Sequence, residues 1–408
     1  MAYIIFWTKK PSQITGDIVM VRVASIFAQL LSLIDRREFS NSVAELEAQK
    51  SAKGFRCWEQ FVCMLFCHLA SADSLREICG GLASSMGKLV HLGIKCMPKR
   101  STLSYANAHR PWQLFENVFY QLLSDADSLA AKQKRRFRFK NPLVSIDSTT
   151  IDLCLSMFDW AHFRRAKGAV KLHLMLNHQG YLPGWALITE GKVHDVKVAQ
   201  KLEFAAGTIV VMDRAYVDYE LFDRWTDNGV WFVTRAKKDM QYRIVKNRPV
   251  PDRGNVLVDQ EIVFTRDYAW QKCPRRLRRI VVLDTENDRE IVLLTNHMDF
   301  AASTIAQIYK DRWQIESFFK AIKQNLKIKT FVGTSENAVK IQIWTALVSI
   351  LLLKILQMRS RIGWSLSNLS AMLRFNLLSY RELWDWLDQP YQNPPTGPPD
   401  RQFLLFGE

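Results

Sequence analysis

Near residue 143 the hydrophobic period of the chain changes, and this constrains the fold more than any other feature. Before about residue 130 apolar residues recur at the spacing of a helix face, as in Ile26, Leu30, Leu31 and Ile34, and again in Phe61, Met64, Leu65 and Leu69. After 143 short apolar runs and strict alternation take over. Leu143–Ile146 runs into Asp147, Val170, Leu172, Leu174 and Leu176 alternate, and Ile209–Met212 runs into Asp213. A chain built this way reads as an all-helical region followed by a mixed α/β sheet.

The same reading gives an order of elements. In the helical region a segment over 74–82 opens after Asp73, an N-cap residue, and ends near Gly80 and Gly81. A second helix, with Ser101 as its cap, runs toward His109. Its basic start at Lys99-Arg100 resembles the reading helix of a helix-turn-helix, with Arg100 and Ser101 presented to DNA; the alternative is a helix pair that only packs. The first three strands form a meander, the third over Trp185–Thr189. A helix (Asp195–Phe204), the strand ending at Asp213, a helix (Tyr216–Thr226) and a strand (Val230–Thr234) follow, the last after an Asn228-Gly229 turn. Short strands at Val256–Val258, Ile262–Thr265, Arg279–Leu283 and Ile291–Leu294 read as a β-rich insertion. A long helix is expected over Ala301–Lys329, a buried one over Ile341–Leu356, and a proline-rich tail after Pro390.

These elements divide the chain at 20–130 (helical, DNA-binding), 131–142 (basic linker), 143–235 and 296–360 (catalytic core), 236–295 (insertion) and 361–408 (C-terminal segment). Residues 1–19 show no sustained period, which suggests an extension upstream of a native start at Met20.

Charge names the partner. Lys and Arg number 56 against 40 acidic residues, a net charge of +16, which favours polyanions. The linker concentrates Lys132, Lys134, Arg135, Arg136, Arg138 and Lys140 around Phe137 and Phe139, a composition suited to tracking phosphates. A second basic patch comprises His162, Arg164, Arg165, Lys167 and Lys171. The most apolar stretch, Ile343–Leu353, stops at Lys354, short of the roughly 20 residues a membrane span needs. It therefore reads as a core helix, and nucleic acid rather than membrane as the partner. Seven cysteines without regular spacing suit a reducing cytoplasm, and Cys63, Cys67 and His68 sit in an apolar run where core packing outweighs metal binding.

Asp147 and Asp213 share one context, each at the end of a buried strand, where a carboxylate needs a cation or a basic partner. Two of them on a basic chain suggest a shared Mg2+ site, which needs a third carboxylate. Glu316 supplies it. At about 100° per residue, Tyr309, Arg312, Glu316, Lys320, Lys323 and Lys327 fall on one polar stripe. That stripe borders an apolar face containing Ile308, Ile315, Phe319, Ile322 and Leu326. Asp152 and Asp195 lack this context and are set aside.

The pattern Tyr309-x2-Arg312-x3-Glu316-x6-Lys323, with Asp147-Ser148-Thr149-Thr150 and Asp213-Arg214-Ala215-Tyr216, resembles the signature of insertion-sequence transposases of family four. These are DDE enzymes with a ribonuclease H-like core, and one branch carries a helical N-terminal domain. The resemblance spans about residues 20 to 360. It implies Asp147, Asp213 and Glu316 as catalytic ligands of two Mg2+ ions, replaceable by Mn2+, and Tyr309, Arg312 and Lys323 as phosphate contacts. It further implies cleavage at transposon ends, joining of 3′-hydroxyls to target DNA, and a homodimer on DNA. Arg235, Arg214 and the insertion's Trp270, placed to stack on a flipped base, are additional candidate DNA contacts. Two alternatives share the residues: a ribonuclease H-like nuclease without strand transfer, and an inactive DNA-binding regulator, which is expected to lack a carboxylate.

Overall fold

A computed structural model describes residues 24–392 except 51, 53, 86–87, 96–97, 155–157, 159, 161, 165–166, 251–253, 327 and 329. The extension at 1–19, most of the proline-rich tail, Arg165 and Lys327 lie outside the described residues.

Among the described residues six α-helices precede the sheet: α1 (Ile26–Leu31), α2 (Arg36–Glu45), α3 (Cys57–Leu69), α4 (Leu75–Ala83), α5 (Arg100–His109) and α6 (Gln113–Ala130). Their starts follow capping chemistry. Asp35 Oδ1 accepts from the amides of Arg37 and Glu38 at 2.7 and 3.1 Å, and Ser74 Oγ accepts from Glu77 N at 3.2 Å. Ser74, not Asp73, is thus the cap of α4, and Gly80 and Gly81 lie inside that helix. Ser101 does not cap α5 either; the cap position is Lys99, and Ser101 is exposed in the first turn. Between α4 and α5 the chain runs from Ser84 to Lys99 through a 3-10 turn, longer than the tight turn of a helix-turn-helix.

The strands are β1 (Leu143–Leu153), β2 (His162–Arg164), β3 (Lys167–Asn177), β4 (Leu182–Glu190), β5 (Ile209–Met212), β6 (Trp231–Arg235), β7 (Tyr242–Asn247), β8 (Val256–Phe264), β9 (Leu277–Asp284) and β10 (Arg289–Thr295). Interleaved with them are α7 (Asp195–Ala199), α8 (Tyr219–Asp227) and α9 (Asp267–Lys272). They are followed by α10 (Ala302–Asp311), α11 (Trp313–Asn325), α12 (Glu336–Arg359), α13 (Leu366–Asn376) and α14 (Leu383–Asp388).

The ten strands of the described residues form one sheet. β1, β3 and β4 make the antiparallel meander, and β5 and β6 extend it in parallel from β1. This mixed arrangement, an antiparallel meander extended by two parallel strands, is the strand pattern expected for a ribonuclease H-like core. The insertion does not stand apart: β10 pairs antiparallel with β6, and β9, β8 and β7 continue the same sheet. The two runs read separately at 256–258 and 262–265 are one strand, β8.

The helical region shares a core with the sheet. One hydrophobic cluster joins α1, α3 and α6 to α12 and to Leu172, Leu174 and Leu176 of β3. Ile26 N and Phe27 N donate to the carbonyls of Ser379 and Leu377, tying α1 to the C-terminal helices. α12 is long and apolar enough to cross a membrane by composition, but every residue from Ile341 to Leu356 is buried inside the protein. Two of its hydroxyls are satisfied within the helix, Thr345 Oγ1 donating to Ile341 O and Ser349 Oγ to Thr345 O at 2.7 and 2.8 Å. Cys63, Cys67 and His68 are core residues, with His68 Nε2 2.9 Å from Gln342 O and its pKa lowered to about 4 by burial.

Because α12 serves both halves, truncating its Trp344, which packs against Phe119 and Tyr120, should destabilise the whole chain. Trp344→Ala is expected to cost about 3–5 kcal/mol in denaturant unfolding. Far-UV circular dichroism and tryptophan fluorescence should report one coincident transition; separate transitions would mean that the halves are independent.

Candidate active site

Pairing and parity place the two aspartates. β1 and β5 pair in parallel only as far as Ile146↔Met212, so Asp147 and Asp213 leave the paired region at the same level. β1 itself does not end there. It continues to Leu153 along β3, which leaves its other edge open beyond Ile146. Along β1 and β5, Val144, Ile146, Val210 and Met212 face the cluster containing α8, while Leu143, Ile209 and Val211 face α10. By the two-residue alternation of a strand, Asp147 points to the α10 side, as Val211 does two residues before Asp213.

On that side the helix expected over Ala301–Lys329 is broken. α10 ends at Asp311, α11 begins at Trp313, and Arg312 forms a joint with i→i+3 bonds, Arg312 N to Tyr309 O and Ile315 N to Arg312 O. The joint sets Arg312 between two of the carboxylates. Its Nη2 donates to Glu316 Oε1 at 2.6 Å, and its Nη1 lies 3.5 Å from Asp147 Oδ2. α11 then follows the open edge of β1, where Lys323 Nζ donates to Thr150 O at 2.9 Å. Lys320 is exposed.

Electrostatics tie the three acids together. Burial pushes the Asp147 carboxyl up to about 6; the charges of Glu316 and Asp213 add to this, while the Ser148 amide and Arg312 oppose it. Tyr216 is pushed far above its usual range by burial and by Asp147, Asp195 and Asp213, so it remains a protonated donor. Burial also raises Tyr309, against the pull of Arg312 and Arg235. Tyr309 Oη and Arg312 Nε are buried without a hydrogen-bond partner.

Asp147, Asp213 and Glu316 are hard oxygen donors of the kind a divalent cation takes, and the charges of the latter two add to the effect of burial on Asp147. Among the described residues no three Asp, Glu, His or Cys side chains stand close enough to hold a metal as they are. Arg312 supplies the neutralising charge between Asp147 and Glu316 instead.

The other candidates divide. Arg235, at the end of β6, lines a cavity of about 240 Å3 with Leu293, Gln307, Tyr309, Arg312 and Trp313. Arg214 is exposed directly after Asp213. Trp270 is 44% exposed on α9, which packs against α8 and β8, and it does not line that cavity; Trp313, 58% exposed, does. Arg100 and Ser101 are exposed on α5, outside this site. Phe137 and Phe139 stack at 5.1 Å and pack toward Phe300, so the linker's aromatics are turned into the core.

Asp152 is exposed. Asp195 is internally neutralised, accepting from Ser148 Oγ at 2.6 Å and Lys171 Nζ at 3.2 Å, with His173 Nδ1 at 3.5 Å. The sequence held this cluster only as scattered polar residues; the strand register, which sets Ser148 opposite His173 and Thr150 opposite Lys171, assembles it.

The raised Asp147 pKa has a consequence for stability. Ionised Asp147 opposes folding above about pH 6, and this penalty fades as pH falls toward the ordinary carboxylate value. In metal-free buffer at pH 7.5, Asp147→Asn should therefore stabilise the fold by about 1–3 kcal/mol, with little gain near pH 4. Denaturant titrations at both pH values check this; a less stable variant at pH 7.5 would contradict it.

Comparison with known proteins identifies the chain. Residues 138–352 match the transposase DDE domain family, and residues 22–95 match a domain of unknown function, DUF4372. A protein from Sinorhizobium fredii named as the transposase y4zB is 30% identical over 332 residues, covering 80% of this chain and 90% of the relative. One from Geobacillus stearothermophilus, named as the transposase for insertion sequence element IS5377, is 32% identical over 67% of this chain and 72% of its own. A third, from Synechocystis and named for insertion sequence element IS4SA, is 26% identical over 64% of this chain and 73% of its own. With the DDE domain model spanning more than half its length, the chain belongs to the DDE transposases of insertion sequences, enzymes that cleave and join DNA.

Proposed function

We propose that Asp147, Asp213 and Glu316 are the catalytic acids of this transposase and hold two Mg2+ ions, with Mn2+ able to replace them. The observation that carries this reading is the common level of Asp147 and Asp213 beside Glu316, with both neighbours raising the Asp147 carboxyl. The bound cations supply charge neutralisation and activation of the attacking oxygen in an in-line displacement at phosphorus.

The protein's own groups position the DNA. Arg312 and Tyr309 bring a buried guanidinium and an unpartnered buried hydroxyl to the carboxylates, and both contact the phosphate at the scissile bond. Lys323, Arg235 and Arg214 surround that position and neutralise the flanking phosphates. Attack by water at the transposon end breaks the phosphorus–oxygen bond to the 3′ oxygen and releases a 3′-hydroxyl. That hydroxyl then attacks the opposite strand, giving a hairpin, and after reopening it attacks the target. A base unstacked at the cleaved end meets Trp313, which lines the cavity, rather than Trp270 on α9, which does not.

End recognition falls to the outer face of α5. There Arg100 and Ser101 are exposed, and Tyr105 stacks on His109 with ring centroids 4.0 Å apart. The inner face, Leu103, Ala106 and Asn107, is buried against the core, which fixes the helix as a rigid reader. Pairing of two terminal inverted repeats requires two copies of the chain, and the enzyme works in the cytoplasm on nucleoid DNA.

Single replacement of Asp147, Asp213 or Glu316 by Ala should abolish nicking and strand transfer while end binding in a gel shift persists. Arg312→Ala and Lys323→Ala should lower the nicking rate by about 10²–10³-fold without abolishing it. Nicking that survives removal of any one of the three acids takes that residue out of the triad. If Arg312→Ala and Lys323→Ala both keep full activity, the phosphate-contact role is wrong.

A further inference from the structure

Behind the carboxylates lies a second polar network, centred on a fully buried carboxylate, that the reaction chemistry does not use. Asp311, the last residue of α10, has a side chain with no solvent exposure and gathers three donors. His178 Nδ1 donates to its Oδ2 at 2.6 Å, Tyr181 Oη donates at 3.2 Å, and Arg136 Nη1 of the basic linker lies 2.5 Å from Oδ1. The far nitrogen of the same imidazole, Nε2, accepts from Ser145 Oγ at 2.7 Å. Ser145 is completely buried on β1, two residues before Asp147 and on the same face.

Several features set this network apart from an incidental ion pair. A carboxylate at a helix C-terminus is unfavourable with respect to the helix dipole, and this one is held there by three converging donors. Tyr181 adopts left-handed backbone, φ 51°, a conformation that costs a non-glycine residue energy and persists only where the surroundings impose it. The preceding Gly180 (φ 76°) has no room for a side chain: a Cβ there would meet Ala130 at 2.8 Å. The β3–β4 turn is therefore pinned against α6 while presenting His178 and Tyr181 to Asp311.

The geometry points to Asp311 as a positioning residue for the transposase reaction. It holds the helix joint at the distance from β1 that lets Arg312 face Asp147 and Glu316, and it ties that joint to the basic linker through Arg136. Ser145 and Asp147 leave one face of β1 two residues apart, and Asp311 and Arg312 are adjacent, so two cross-links join strand and joint. One, Asp147–Arg312, is open to substrate. The other, Ser145–His178–Asp311, is sealed and fixes the spacing of the first. Arg136 is 54% exposed on its side chain, so the linker can meet DNA while it contacts Asp311.

This inference rests on the proposed triad, and the test separates the two. In the full-length protein with saturating end DNA and Mg2+, Asp311→Asn should lower kcat for nicking about tenfold or more, leaving KM for end DNA and metal-free end binding unchanged. Ser145→Ala should give a smaller loss of the same kind. The double variant should be no slower than Asp311→Asn alone, because both changes break one relay. Arg136→Lys should retain more kcat than Arg136→Gln. Should Asp311→Asn fail to fold, Ser145→Ala, which removes a single hydroxyl, carries the test. Wild-type kcat in Asp311→Asn and Ser145→Ala, with Asp147→Ala inactive, overturns the inference and leaves the triad standing. Nicking by Asp147→Ala overturns the triad and the inference with it.

Discussion

The short parallel pairing of Leu143–Ile146 with Ile209–Met212 is the constraint on which the site depends. It aligns two apolar runs so that the acids following them emerge together, and strand parity directs Asp147 toward α10. Both strands are anchored by apolar residues on each face of the sheet, so the carboxylates stand on a rigid platform. The pairing stops where chemistry is wanted: β1 continues along β3 alone, and the edge it vacates is filled by α11, with Lys323 closing on the Thr150 carbonyl.

The resulting charge arrangement is compact. Burial, with the charges of Glu316 and Asp213 added to it, raises the Asp147 carboxyl, and the balancing charge comes from Arg312, which reaches both Asp147 and Glu316. An arginine suits the position because its planar fork serves two carboxylates at once and stays charged when buried. Tyr309 and Arg312 retain unpaired polar atoms in the interior, an arrangement that a folded protein rarely leaves without a ligand to meet them. The insertion contributes by extending the sheet from β6, so that β9 and β10 form one wall of the cavity beside these residues.

Much of this was legible in the sequence because it is written locally. An apolar run ending in Asp is visible in Leu143–Asp147 and Ile209–Asp213, and the spacing from Tyr309 to Lys323 gives one stripe of one helix. What escaped depends on contacts distant in sequence. Nothing local announces the break at Arg312, since the surrounding residues favour helix; it arises where Asp311 turns inward to His178 and Arg136 while Arg312 turns to the carboxylates. β7 was missed because Tyr242–Asn247 is mostly exposed and lacks an apolar alternation. The shared core of the helical region and sheet was invisible because periodicity shows that a face is buried without showing what covers it. Ser101 was misread as a cap because Lys99 starts the helix with no side-chain bond.

The proposed role of Asp213 as a metal ligand beside Asp147 is tested most directly by a metal-specificity swap. Asp213→Cys replaces a hard oxygen ligand with a soft sulfur at the end of β5, which Mg2+ binds poorly and Mn2+ tolerates. End nicking by this variant is expected to be lost in Mg2+ and partly restored in Mn2+, while Asp213→Ala is silent in both. Full activity of Asp213→Cys in Mg2+, or equal inactivity of both variants in Mn2+ with folding and end binding intact, would contradict it.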